Sequence, residues 1–184
     1  MLSINRMSMW LGTVLVILIC CGRPALAQQR LTDVQGSGTA NLTGATFVPP
    51  GCSVGDNPCE VNFTLTGKGF SNFTGPFNLS AIEHVNLGFV MPLFGQGPSP
   101  LCFPAGLDTN ETTANGDTLE IIGAGSACFN GSDSTAFTGS WAIGVGSTGT
   151  GKFANALGTG TRVLVLDLTN SGIFTDTGAI QLTH

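Results

Sequence analysis

The feature that most constrains this chain is a hydrophobic period of two. Val61, Phe63 and Leu65 alternate with Asn62, Thr64 and Thr66. Phe77, Leu79, Ala81, Val85 and Leu87 share one parity. Phe137, Trp141, Ile143 and Val145 alternate with Thr138, Ser140, Ala142 and Gly144, and Phe174, Ile180 and Leu182 share a parity near the end. Successive side chains of a strand point to opposite faces, so each run places one face in a core and the other in water. The segment Arg162 to Leu168, RVLVLDL, is more continuously apolar and reads as a strand covered on both faces. Turn formers separate the runs. Asn115-Gly116 is a strong hairpin signal, and Pro49-Pro50-Gly51, Gly75-Pro76 and Asn130-Gly131 mark further turns. Met91 to Thr113 carries four prolines and reads as a long loop pinned at Cys102. No amphipathic helix of useful length is visible beyond residue 27. Many short strands with regular turns predict an all-β fold, an antiparallel β-barrel or, alternatively, a β-sandwich.

The first residues have another character. Arg6 supplies a positive start, Met9 to Cys21 form an apolar stretch, and Gly22 and Pro24 break it. Thirteen residues are too few to span a bilayer comfortably as a helix. Ala25-Leu26-Ala27 fits the small-x-small cleavage rule. Residues 1–27 therefore read as a signal peptide and residues 28–184 as one domain, expected to be secreted, periplasmic or at the cell surface. A lipoprotein needs a small residue before its cysteine, and Ile19 precedes Cys20.

Beyond residue 27 the basic residues are Arg30, Lys68, Lys152 and Arg162, against eleven acids, a formal charge of −7. Too few cations are present to neutralise nucleic-acid phosphates or to draw the chain to an anionic membrane. One Trp and no Tyr in that stretch make no aromatic girdles, so the alternation is not expected to face lipid. Four cysteines remain, which allow three pairings. Cys52–Cys59 and Cys102–Cys128 are the favoured disulfides, the first closing the turn-rich loop GCSVGDNPC. Zinc wants paired ligands at close spacing, and no CxxC or nearby His is present. No metal or cofactor is expected.

Two phosphate-binding patterns turn out to be decoys. Gly144-x-Gly146-x-x-Gly149, with Asp167 beyond, fits a dinucleotide fingerprint, and Gly146-x-x-x-x-Gly151-Lys152 begins a P-loop. Both motifs work by aiming a helix N-terminus at phosphate. The following FANALGTGT is too short and Gly-broken for that helix, and Phe153 stands where a Ser or Thr would hold magnesium. A Gly-rich turn between strands is the better reading. Six Asn-x-Ser/Thr sequons, at Asn41, Asn62, Asn72, Asn78, Asn110 and Asn130, mark glycosylation only in a host with that machinery.

Catalytic candidates are sparse. A nucleophilic triad needs a base beside the nucleophile, and the only histidines are His84 and the terminal His184. Glu83 shares the parity of Phe77, Leu79, Ala81 and Val85, so it points into the core or a cavity unless the strand ends near it. In a cavity its pKa rises and it can act as acid or base. It is the single side chain singled out as a cavity residue.

Three stretches carry a resemblance: LTGKGFSNFTGPFNLSAIEHV, TTANGDTLEIIGAG and FTGSWAIGVGSTGTGKFANALGTGTRVLVLDLTNSGIFTDTGAI. Within them lie Gly67-Lys68-Gly69-Phe70, Ala114 to Asp117, and the turn Gly149 to Thr161. The series resembles small secreted bacterial proteins of the allene-oxide-cyclase-like or dirigent-like barrel type, over roughly Asn62 to Ile180. The resemblance implies an antiparallel barrel of about eight strands with a central cavity for a small hydrophobic molecule. No segment matches a catalytic motif of those enzymes. The expected role is a non-catalytic module that binds a small apolar or amphipathic ligand. The alternatives are a barrel isomerase or cyclase acting by positioning, and a structural surface or matrix protein.

Overall fold

The computed structural model of the protein describes residues 31–89, 101–129, 134–143, 149–169 and 171–182. Residues 1–27, read above as a signal peptide, and Asn130-Gly131, Gly144, Val145, Gly146 and His184 lie outside the described residues. Eight strands follow one another: β1 (Thr32–Val48), β2 (Glu60–Ser71), β3 (Gly75–Asn86), β4 (Leu101–Thr113), β5 (Thr118–Phe129), β6 (Ser134–Ile143), β7 (Ala156–Asp167) and β8 (Ser171–Leu182). Each pairs antiparallel with the next, and β8 pairs with β1, so the sheet closes into a barrel. A single 3₁₀ turn, Gly151–Phe153, precedes β7. Closure satisfies every strand edge, which an open sheet leaves bare.

Period two decides which side chains go inside. Val61, Phe63 and Leu65 of β2, and Phe77, Leu79, Ala81 and Val85 of β3, are buried in one core. The outward rows are mostly polar, with Asn62, Thr64, Thr66 and Lys68 on β2 and Asn78, Ser80, His84 and Asn86 on β3, interrupted by Phe70 and Ile82. A lipid-facing barrel needs the reverse, an apolar outer band around a polar lumen. No helix of the described residues is long and apolar enough to cross a membrane.

The Gly-rich patches have a packing role inside the wall. A Cβ on Gly160 would lie 2.3 Å from the Trp141 indole, and one on Gly178 2.5 Å from it. Cβ atoms on Gly38 and Gly69 would strike the rings of Phe174 and Phe77. The large rings lie flat on bare backbone, and small and large residues alternate around the barrel. Five described glycines sit at positive φ, among them Gly116 in the β4–β5 turn at φ +85 and Gly75 in the β2–β3 turn at φ +75.

Three sequence expectations are corrected. Leu101–Thr113 is not loop but strand β4, in register with β5 from Leu101↔Phe129 to Thr112↔Thr118. Pro104 is tolerated because the β3 ladder ends at Ala105, leaving its missing N–H on an unpaired side. The segment Arg162–Leu168 is covered on one face only, with Val163 and Val165 outside. Gly149 to Thr161 is a turn only at its start, since Ala156 onward is β7. A strand was also missed: β1 places Gly36, Gly38 and Ala40 inward, and small side chains leave little apolar signal.

Cys52 is joined to Cys59 in the β1–β2 connection, and Cys102 to Cys128 directly across the β4–β5 ladder. Two such bonds fit an oxidising compartment. The loops they close span 7 and 26 residues. By chain entropy, replacing Cys102 and Cys128 with serine costs about 1 kcal/mol more than replacing Cys52 and Cys59. Urea unfolding of the two double variants measures that difference, and an equal loss in both would contradict it.

Candidate functional site

The barrel interior is not one core but two, with a polar layer between them. The upper core holds Phe63, Leu65, Phe77, Phe103, Phe137 and Leu166. The lower one holds Val34, Leu119, Ile121, Trp141, Phe153 and Ile180. Between them Arg162 reaches from β7 across the lumen to β4. Its Nε donates to Asp176 Oδ1 at 2.6 Å and its Nη2 to Asp176 Oδ2 at 2.6 Å, a bidentate pair. Nη2 also donates to Glu111 Oε1 at 3.1 Å, and Nη1 to Thr109 Oγ1 at 2.6 Å. The guanidinium stands 5.1 Å from the Phe174 ring centroid.

All three charged groups are buried, Arg162 and Glu111 at 3% exposure. One cation faces two carboxylates, and they share it unequally. Asp176 has the short bidentate contact, and Glu111 has one longer bond. Burial pushes the Glu111 pKa up to about 7; Arg162 opposes that rise and Asp176 adds to it. Burial alone would depress Arg162, yet the hydrogen bonds it donates to Asp176 and the two carboxylate charges together raise its pKa.

Below this layer lies a chamber with about 10 Å³ of free space, room for one water-sized group. Its apolar walls are Val34, Phe73, Leu119, Ile121, Trp141 and Ile180. Its polar lining is Glu111 and Asp176 on the ceiling with Ser71 and Thr74 near the mouth. The β2–β3 turn closes the mouth. Ser71 Oγ accepts from the backbone N–H of Thr74 at 2.9 Å and of Phe73 at 3.2 Å, which holds the turn tightly. The half-buried Phe73 ring lies 5.4 Å from that of Phe153 on the 3₁₀ turn. A second void of about 10 Å³ sits above the polar layer beside Arg162, Leu65 and Leu107.

Glu83 does point inward, flanked in register by Phe63 and Leu107. It is fully buried, and neither carboxylate oxygen has a hydrogen-bond partner. Burial alone raises its pKa to about 7. It lines neither of these two voids and packs among the apolar side chains of the upper core. His84 faces outward, with Nδ1 at 2.9 Å from Asn62 Oδ1 and 3.2 Å from Glu60 Oε1, and Nε2 at 3.3 Å from Asp108 Oδ2. Among the described residues no group of three or more His, Cys, Asp or Glu is arranged to hold a metal ion. Lys152 is exposed and is followed by β7 rather than a helix, which leaves the P-loop pattern without its phosphate site.

Arg162, Glu111, Asp176 and Thr109 were not singled out from the sequence. The signal was nonetheless there. Arg162 has the inward parity of Leu164 and Leu166, and Asp176 that of Phe174 and Ile180. Extending each apolar parity by one or two positions would have put both charges inside. No family model matches the chain, and no curated protein or solved structure matches it.

Proposed function

We propose that this protein is an exported, non-catalytic barrel that binds a small amphipathic ligand in its lower chamber. One observation carries the reading: apolar and aromatic walls meet convergent carboxylates and hydroxyls at one end of a closed barrel. The void above the polar layer is walled by apolar side chains and Arg162, whereas the lower chamber presents carboxylates and hydroxyls, so the lower chamber is the better ligand site. The chamber holds one water-sized group, so a larger ligand is admitted as the Phe73 ring swings off Phe153. The resemblance to allene-oxide-cyclase-like and dirigent-like barrels supports the reading, since an eight-stranded antiparallel barrel is what it implies. A cyclase or isomerase finds less support, because the carboxyl group proposed for it, Glu83, is sealed in the core. The signal-like N-terminus and the two disulfides support export.

Native mass spectrometry of protein purified from its own host tests this. A co-purifying small molecule, lost on unfolding, is the expected result. A bare mass, together with no thermal shift across a library of small amphiphiles, would overturn it. Replacing Phe73 with alanine is expected to speed ligand uptake severalfold, read by stopped-flow fluorescence of Trp141. Unchanged uptake would place the entrance elsewhere.

A second reading, a structural surface protein, is favoured by one feature of the outer wall. Val165 and Ile173 are register partners on β7 and β8, Val163 is their neighbour, and these three are 46%, 63% and 41% exposed. Sedimentation that finds only monomer at high protein concentration would remove that reading.

A further inference from the structure

Resting on the ligand-binding reading, we infer that the ligand carries a primary ammonium group, which ion-pairs with Glu111 beneath Arg162 while its short apolar tail lies against Trp141.

The argument begins with charge. The polar layer sets one guanidinium against two carboxylates in a space sealed from water. Asp176 is satisfied by two short bonds from Arg162. Glu111 receives a single, longer bond from Arg162, at Oε1. An ionised carboxylate that shares one buried cation with a second carboxylate is costly, and a further cation placed against it removes that cost. Anionic ligands are repelled by the surplus negative charge. A neutral alcohol supplies a hydrogen bond but no charge.

Size and shape narrow the class further. The free space beside Glu111 is about 10 Å³, which takes a water-sized head such as –NH3⁺ without rearrangement of the polar layer. Acceptors for the N–H donors lie in the chamber lining, the Glu111 carboxylate first and the Thr74 hydroxyl beside it, while Ser71 Oγ is occupied by the N–H groups of Phe73 and Thr74. The remaining wall is apolar, and the indole face of Trp141 and the ring of Phe73 favour a nearby cation. The tail then runs towards the mouth, into the position that the Phe73 ring occupies when the chamber is closed.

The groups facing Glu111 are Arg162 from β7 and Asp176 from β8, together with Thr109 on its own strand. Because burial raises the Glu111 pKa to about 7, the carboxylate must give up a proton to bind the cation below that pH. Affinity for the ammonium form therefore falls as pH drops from 8 to 6, towards tenfold per unit.

Titration of the full-length protein with n-butylammonium, 1-pentanol and butyrate, read by Trp141 fluorescence and thermal shift at pH 8, tests the inference. The expected result is a preference of about tenfold for n-butylammonium over 1-pentanol, and no binding of butyrate. Glu111→Gln should erase that preference while leaving pentanol binding in place. Should Glu111→Gln fail to fold, the fall in n-butylammonium affinity between pH 8 and pH 6 in the wild-type protein gives the same answer. Pentanol binding as tight as ammonium binding, or ammonium binding unaffected by pH, would overturn the ammonium assignment and leave a ligand site standing. Silence from all three probes would overturn the assignment and count against the ligand site as well.

Discussion

Arg162→Met is expected to destabilise the barrel by about 4 kcal/mol at neutral pH, a large share of a typical domain's stability of about 5–15 kcal/mol. The cause is not the loss of a favourable pair. Removing the guanidinium leaves Asp176 and Glu111 buried with no counter-charge and strips Thr109 of its donor. The deficit should shrink in acid. Burial raises the Glu111 pKa above its unfolded value, so its penalty is present at high pH and relieved as pH falls towards about 4. Urea unfolding at pH 7.5 and pH 4.5 reads both effects. The triple variant Arg162→Met, Asp176→Leu, Glu111→Leu should recover most of the loss, because an apolar layer of similar volume carries no desolvation cost. A loss below about 1 kcal/mol in the single variant would mean that water reaches the layer.

Glu83→Gln has the second-largest expected effect, and its sign is opposite. Glu83 is fully buried with both oxygens unpartnered, and burial raises its pKa from 4.5 to about 7. A carboxyl group raised in the fold contributes stability that is fully present below its unfolded pKa and is lost as pH rises through the folded one. The wild-type protein should thus lose stability between pH 4.5 and pH 7, with Glu111 adding to the slope. Glu83→Gln cannot ionise. It should match the wild type at pH 4 and exceed it at pH 8 by about 3 kcal/mol, or roughly 6–12 °C in Tm. Parallel stability curves for the two proteins would show that Glu83 ionises freely and the surrounding core admits water.

Much of the barrel could be read from the sequence, for a simple reason. Where inward residues are large, as in Val61, Phe63 and Leu65, the period of two stands out and the strand is plain. Where they are small it disappears. β1 hides because Gly36, Gly38 and Ala40 line its inner face beneath the rings of β8. β4 hides behind the prolines that precede it and Pro104 within it, since prolines signal loops unless an unpaired edge accommodates them. The site was harder to see. Glu83 was placed inward by parity, but nothing local says whether an inward carboxyl meets a cavity or a packed wall. The Arg162 layer joins residues 51 and 14 positions apart in the chain, a contact that exists only after the barrel closes.

Closure has a kinetic side. The seam pairs Thr32 with Ile180, so the first strand waits for the last before either has both neighbours. Until β8 is in place, β1 and β7 present bare edges, and the Arg162–Asp176 pair cannot form. Non-local strand pairing of this kind slows folding into the millisecond-to-second range and leaves sticky intermediates exposed meanwhile. A chain emerging N-terminus first cannot complete its barrel until nearly all of it has been delivered. Its late folding is thus an inherent delay, during which the extended polypeptide is still thin enough to thread through a pore.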